Sequence, residues 1–227
     1  MGIPTFESSC ILTVDKQRSI NFCILSEKIV TMKYLMLAFG LSMFSFFSCA
    51  QSVPDKDNQI ATAVAAAPEA DRAGATAYGY DADGNLVLLR EGTNSLICHA
   101  DDPNRERFQC VCYHKDLQPF MDRGRELRAL GKSSQEIFDM REAEAKAGTL
   151  QMPKEGATLH LLEGKEGKYD AETKQVVNAN YRYVVYIPWA TAESTGLPLK
   201  PLVPGGPWIM DPGTHRAHIM ITPPPVN

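Results

Sequence analysis

Alternating apolar and polar residues predict β-structure in several parts of the chain. Over 181–189 the odd-numbered residues share one face of an extended strand and the even-numbered residues share the other. Pro188 has no backbone N–H, so this strand is expected to end there or to lie at a sheet edge. The runs 75–80 and 85–90 flank Asp81-Ala82-Asp83-Gly84, whose residues tolerate left-handed backbone angles, and this pattern predicts a β-hairpin.

A period of 3.6 residues replaces the alternation in the middle of the chain and predicts two helices. The first has Asp116 as its N-cap and Gly131 at its C-terminal end. Its apolar face comprises Leu117, Phe120, Met121, Leu127 and Leu130. A capping box at 133–136 predicts a second helix that continues to Ala147. Since only two or three residues separate them, the two helices should form a helical hairpin.

The remaining pattern completes an α+β fold. An alanine-rich helix is expected over 59–67, ended by Pro68, and an extended loop over 194–213, which is rich in Pro and Gly. Further short strands are predicted at 108–113, 158–162 and 217–222. The expected architecture is one domain in which the helical hairpin covers an antiparallel-rich sheet, with strands from both ends of the chain sharing that sheet.

The N-terminal region has a different pattern, typical of a leader. Met32 and Lys33 precede an almost wholly apolar run of 14 residues, 34–47, and small residues follow it. We interpret 32–48 as a signal peptide and 1–31 as an upstream extension from a start site assigned too early; the alternative is a long, unusual leader. The polar segment 49–58 reads as a tether and 59–227 as the folded domain.

Two cleavage sites compete at the end of the apolar run. Phe46-Phe47-Ser48-Cys49 resembles a bacterial lipobox, which predicts cleavage before Cys49 and a lipid on its sulfur. Ser48-Cys49-Ala50 also suits ordinary signal peptidase, which would cut before Gln51. The first alternative predicts an exported lipoprotein of the bacterial cell envelope, with the membrane as its partner through the lipid. The second predicts a secreted protein without an anchor.

Charge argues against nucleic acid as a partner. The chain has 23 Lys and Arg against 27 Asp and Glu, and a net charge of −4. The leader holds more basic than acidic residues, so the mature part stays acidic. No basic stripe is available to neutralise phosphates.

The most loaded segment for chemistry contains three cysteines and two histidines within 17 residues: Cys98, His99, Cys110, Cys112 and His114. With His218 these residues offer an alternative metal or redox site, because thiolates and imidazoles suit zinc or Cu(I). Export favours oxidation instead. A disulfide from Cys98 to Cys110 or to Cys112 would close a loop of about 13 to 15 residues, worth roughly 3 kcal/mol. Either pairing leaves one cysteine over.

Other candidate residues are aromatic or lie near the C-terminus. Trp189 precedes the Pro/Gly loop, Trp208 lies within it and His215 precedes the last strand, so these three are candidate binding residues, with core packing as the alternative for the tryptophans. Gly-x-Ser-x-Gly, Ser-x-x-Lys and phosphate-binding glycine motifs are lacking. We therefore expect no cofactor and no catalytic residue that the sequence can name.

Two stretches are similar to segments of uncharacterised secreted bacterial proteins. The first is Leu89-Arg90-Glu91-Gly92-Thr93-Asn94 with Cys98 and Asp101-Asp102-Pro103; the second runs from Pro207-Trp208 through Gly213 to His218-Ile219-Met220-Ile221. The resemblance implies export and a bridged loop that begins at the first cysteine, although Cys-Val-Cys departs from the pattern, and it implies no activity. The expected function is that of a non-enzymatic envelope protein that binds an unknown protein or small molecule or has a structural role.

Overall fold

Residues 53–225 are described by the structure, a computed structural model; the predicted segments 1–31 and 32–48 and Cys49 lie outside this range. Strands β1 (Thr76–Tyr80) and β2 (Leu86–Arg90) form the predicted hairpin. Its turn contains Gly84 at a φ of 79°, which favours glycine. Asp81 accepts hydrogen bonds from the backbone N–H groups of Asp83 and Asn85 and so closes the turn.

The first described helix, α1 (Lys56–Val64), begins inside the segment predicted to be a tether. Asp55 is its N-cap and accepts hydrogen bonds from the backbone N–H groups of Asp57 and Asn58. The prediction of a tether as far as residue 58 is therefore wrong, because the polar residues taken for a flexible linker form the first turn of a helix. A 3-10 helix, Glu69–Gly74, follows and leads into β1.

Strand β3 (Leu96–His99) was not predicted from the sequence. Its four residues are all buried, so they show no alternation of apolar and polar side chains. Strand β4 (Phe108–His114) follows and pairs antiparallel with β3.

The helical hairpin is present as α2 (Gln118–Ala129) and α3 (Ser134–Lys146). The capping box predicted for the second helix is complete, with Ser133 and Glu136 exchanging hydrogen bonds. The predicted cap of the first helix is wrong. A 3-10 turn, Lys115–Leu117, precedes α2, and His114 accepts the hydrogen bond from the backbone N–H of Asp116.

The C-terminal half supplies six further strands and one short helix. The strand predicted over 181–189 ends at Tyr186, and the segment 194–213, which was predicted to be a loop, contains a short strand. These elements are β5 (Ala157–Gly164), β6 (Lys168–Asp170), β7 (Gln175–Val177), β8 (Asn180–Tyr186), α4 (Ala192–Thr195), β9 (Trp208–Met210) and β10 (His218–Ile221).

Eight strands form one sheet in the order β2-β1-β3-β4-β5-β8-β10-β9, while β6 and β7 pair separately. The pairing of β1 with β3 is parallel and every other pairing in the described chain is antiparallel. Early and late strands share this sheet, as expected. The fold is a single α+β domain.

Each face of the sheet is covered by different elements. Helix α1 packs with small residues and cysteines on one face, which we call the closed face. The helical hairpin packs on the opposite face, which we call the cleft face; Leu117 and Phe120 contribute to a core there with Tyr113, Leu159 and Val184. Within residues 53–225, no helix is long and apolar enough to cross a membrane.

Candidate functional site

The cysteines lie together on the closed face. Cys98 and Cys112 are directly opposite each other on β3 and β4, and they form a disulfide. This is one of the two pairings that the sequence leaves open. Cys110 keeps a free, completely buried thiol, and burial raises its pKa to about 12. A thiol held protonated in this way is a poor nucleophile and a poor metal ligand.

The histidines of the alternative metal site lie elsewhere. His99 and His218 line a cavity on the cleft face, on the other side of the sheet from the cysteines. His114 lies at the end of β4, where its Nδ1 is 3.5 Å from a carboxylate oxygen of Asp116. The part of the chain that the structure describes contains no group of three or more His, Cys, Asp or Glu residues placed to hold a metal ion.

The three predicted binding residues are also separated. Trp189 is 41% exposed and lies near Lys146, whereas Trp208 is half-buried on the edge strand β9. His215 is completely buried. None of the three lines the cavity of the cleft face.

That cavity lies between the helical hairpin and the sheet and has a volume of about 450 Å³, within the usual range for small-molecule sites. Its floor is largely apolar, because successive strands present aliphatic side chains to this face. The floor and the apolar wall are formed by Val111, Leu159, Leu161, Val184, Met220, Phe120 and Met121. A ligand with an apolar body would fit such a floor.

Arginines dominate the polar lining of the cavity. They come from a loop, both helices of the hairpin, β8 and the turn before β10. Six of them line it: Arg105, Arg125, Arg128, Arg141, Arg182 and Arg216. Among the described residues that line the cavity, Asp102 is the only acidic one. The lining of the cavity is therefore net positive although the chain as a whole is acidic.

Three of the arginines form ion pairs with carboxylates near the cavity. Arg125 pairs with Asp122, Arg182 with Glu163 at 2.7 Å and Arg216 with Asp211 at 2.7 Å. Arg105 instead donates to the amide oxygen of Gln109. These contacts fix the guanidinium groups and leave part of their positive charge uncompensated.

Arg141 is different because it is buried without a carboxylate partner. It is 8% exposed, its Nη1 donates to the backbone oxygen of Phe120 at 3.1 Å, and its Nε has no hydrogen-bond partner in the described structure. The guanidinium carbon lies 3.9 Å from the centre of the Phe120 ring. Burial lowers the pKa of Arg141 to about 10, and the charges of Arg216 and Arg128 act in the same direction, opposed by Tyr186 and Glu144. A buried cation without a hydrogen-bonded counter-charge is costly and can accept an anion.

A chain of hydrogen bonds ends at the first cavity histidine. Arg125 donates to the hydroxyl of Tyr113 at 3.3 Å, and that hydroxyl lies 2.9 Å from Nε2 of His99. The hydroxyl of Tyr113 thus accepts from Arg125 and shares a second hydrogen bond with Nε2 of His99. Burial first, and the charge of Arg125 second, lower the pKa of His99 to about 3. His99 is thus a neutral, oriented side chain.

The second cavity histidine is held by the backbone. Nδ1 of His218 lies 2.7 Å from the carbonyl oxygen of Arg216, so Nδ1 carries a proton and donates it. Burial lowers the pKa of His218, and this hydrogen bond opposes the shift. The neutral ring has its free lone pair on Nε2 and can accept a hydrogen bond there.

Sequence reasoning missed the arginine cluster because its members lie far apart along the chain and follow no spacing rule. The run Arg123-Gly124-Arg125-Glu126-Leu127-Arg128 offered a weak signal. A glycine inside a helix is unfavourable and calls for a structural reason. That reason is Arg141, since a Cβ at Gly124 would lie 2.9 Å from its Nη1.

No protein-family model, no curated protein and no solved structure matches this chain.

Proposed function

We propose that this domain binds a small organic anion with an apolar body in the cavity of the cleft face. The observation that carries the proposal is Arg141, which is nine-tenths buried, lacks a carboxylate partner and lines a cavity with five further arginines. A carboxylate, sulfonate or phosphate group would supply the missing hydrogen-bond acceptor and neutralise the charge. The aliphatic floor would bury the rest of the ligand.

The test compares ligands of one chain length by isothermal titration calorimetry. Octanesulfonate and octanoate should bind the exported protein, whereas 1-octanol and octyltrimethylammonium should bind at least about tenfold more weakly, because they lack a negative charge. Equal binding of all four compounds would overturn the proposal, as would binding of none.

The variant Arg141→Met separates binding from folding. Loss of a charged hydrogen-bond donor of this kind costs about 1.5–3 kcal/mol, so octanesulfonate affinity should fall roughly 10- to 150-fold. The free energy of unfolding should stay level or rise, because methionine removes an uncompensated buried charge. Arg107→Met is the matched control. Arg107 is exposed and does not line the cavity, so this change should leave affinity intact.

We also propose that the domain works outside the cytoplasm, anchored by a lipid on Cys49. The leader pattern of 32–48 supports export, and the disulfide of Cys98 with Cys112 suits an oxidising compartment. The intact mass of native protein extracted from membranes should match a chain that starts at Cys49 and carries acyl chains. Cys49→Ala should move the protein to the soluble fraction. A mature N-terminus at Gln51 would contradict the lipid anchor and would leave the proposal of export unaffected.

A further inference from the structure

Arg141 and Arg216 are like charges that line the same cavity. The charge of Arg216 lowers the pKa of Arg141, and because Arg141 is only 8% exposed, water screens the repulsion incompletely. A restraint is needed to keep both guanidinium groups in place. Glu142 follows Arg141 directly in the chain and His215 directly precedes Arg216. The contact between Glu142 and His215 provides the restraint.

Glu142 and His215 join α3 to the turn before β10 through two hydrogen bonds at one oxygen. Oε2 of Glu142 accepts from the backbone N–H of His215 at 2.9 Å and from its ring Nδ1 at 2.6 Å. His215 has no exposed surface, whereas Glu142 also pairs with Lys146 at 2.7 Å. Burial would raise the pKa of Glu142, but Lys146 and His215 lower it to about 2, so it is an anion.

The rings around His215 extend this contact to both arginines. The imidazole lies edge-on to Phe120 and Phe138, with centroids 5.7 and 4.9 Å away. Arg141 lies over Phe120 at 3.9 Å and Arg216 over Phe138 at 4.8 Å. Each arginine therefore rests on a phenylalanine that is packed against the same histidine.

We infer that Glu142 and His215 are positioning residues, which hold Arg141 and Arg216 in the arrangement that binds the acidic group of the ligand. The inference rests on the proposed anion binding. It assigns no contact with the ligand to either residue; they act through the two arginines.

Substitution of Glu142 distinguishes positioning from simple electrostatics, because the two predict opposite signs. Removal of a negative charge near a cationic cavity would by itself strengthen anion binding. Loss of the restraint should instead weaken octanesulfonate binding by about tenfold or more in Glu142→Leu. Glu142→Gln keeps an acceptor oxygen and should stay within about threefold of the parent. Asp139→Asn, an exposed change on the same helix, is the control.

Variants of His215 are the second readout and stay informative if Glu142→Leu fails to fold. Nε2 of His215 is buried without a partner in the described structure, so a second ring proton would have no acceptor there. Burial accordingly lowers the pKa of His215, opposed by Glu142 and reinforced by Arg141 and Arg216. At pH 7 the ring is therefore neutral, and it carries its one proton on Nδ1, where it donates to Glu142.

His215→Asn keeps this hydrogen bond, because an asparagine amide can donate to Glu142. Its octanesulfonate affinity at pH 7 should stay within about threefold of the parent. His215→Leu cannot donate to Glu142 and should weaken octanesulfonate binding by about tenfold or more.

The outcomes separate the two proposals. If the parent protein does not bind octanesulfonate, the proposed function fails. If it binds but Glu142→Leu binds equally well or better, or if His215→Leu binds as well as His215→Asn, positioning fails and anion binding stands.

Discussion

The closed face and the cleft face of the sheet are made by the same strands but by opposite kinds of residue. Under α1, alanines and cysteines bring backbone and sheet into close contact, with Ala63, Ala77 and Cys110 completely buried. Under the helical hairpin, the side chains are longer, and arginines and histidines line the cavity beside aliphatic residues. If the proposed function holds, the closed face stabilises the domain and the cleft face gives up stability for anion binding.

Arg141 and the disulfide illustrate the contrast. On the closed face, Cys98 and Cys112 form a covalent cross-link between adjacent strands. On the cleft face, Arg141 keeps an unpartnered Nε in a buried position. The first arrangement lowers the entropy of the unfolded chain and the second destabilises the folded chain.

Breaking the disulfide should have the largest effect on stability. Its sequence separation is 14 residues, for which loop closure contributes about 3 kcal/mol. Reductant should therefore lower the free energy of unfolding in urea by roughly that amount, while octanesulfonate affinity on the other face should change less than about twofold.

The double variant Cys98→Ala/Cys112→Ala is the control, since reductant should have no effect on its unfolding. In the oxidised native parent, the buried thiol of Cys110 should resist alkylation. Rapid modification of all three thiols without denaturant would contradict the bridge and would favour the alternative of a metal or redox site over the proposed function.

The cysteine chemistry of the closed face was more predictable than the arginine site of the cleft face. A bridge from Cys98 to Cys110 or Cys112 follows from the alternation of a strand and from the oxidising compartment that the leader implies. The hairpin of β1 and β2 and the capping box at Ser133, which begins a helix of the cleft face, are likewise local signals. Local signals of this kind need no knowledge of the tertiary fold.

The cleft face escaped prediction because its residues meet only through the sheet order. Arg105 and Arg216 are more than a hundred residues apart along the chain, and only the long-range pairing of β4, β5, β8 and β10 brings both to the cavity. Strand β9 and helix α4 were hidden for a similar reason, since prolines and glycines around them indicate a loop. Secondary-structure propensity depends on neighbouring residues in the sequence, whereas this site is formed by residues that are far apart along the chain.

The smallest effect on stability is expected at Gly124, where helix propensity favours a larger residue and the position of Arg141 favours glycine. In the interior of a helix, alanine is more favourable than glycine by about 0.5–1 kcal/mol. At Gly124 a Cβ would lie 2.9 Å from Nη1 of Arg141, which is held by the backbone oxygen of Phe120. The added methyl must displace this guanidinium, so the two contributions should nearly cancel.

A double-mutant cycle resolves them. Gly124→Ala should change the free energy of unfolding by less than about 0.5 kcal/mol in the parent, yet stabilise Arg141→Met by about 0.5–1 kcal/mol, since no guanidinium then occupies the space. In the parent background the same change should weaken octanesulfonate binding, because Arg141 has moved. An equal change in stability in both backgrounds would show that the glycine serves the helix and not the arginine. It would also contradict the explanation that Gly124 leaves space for the buried guanidinium of Arg141.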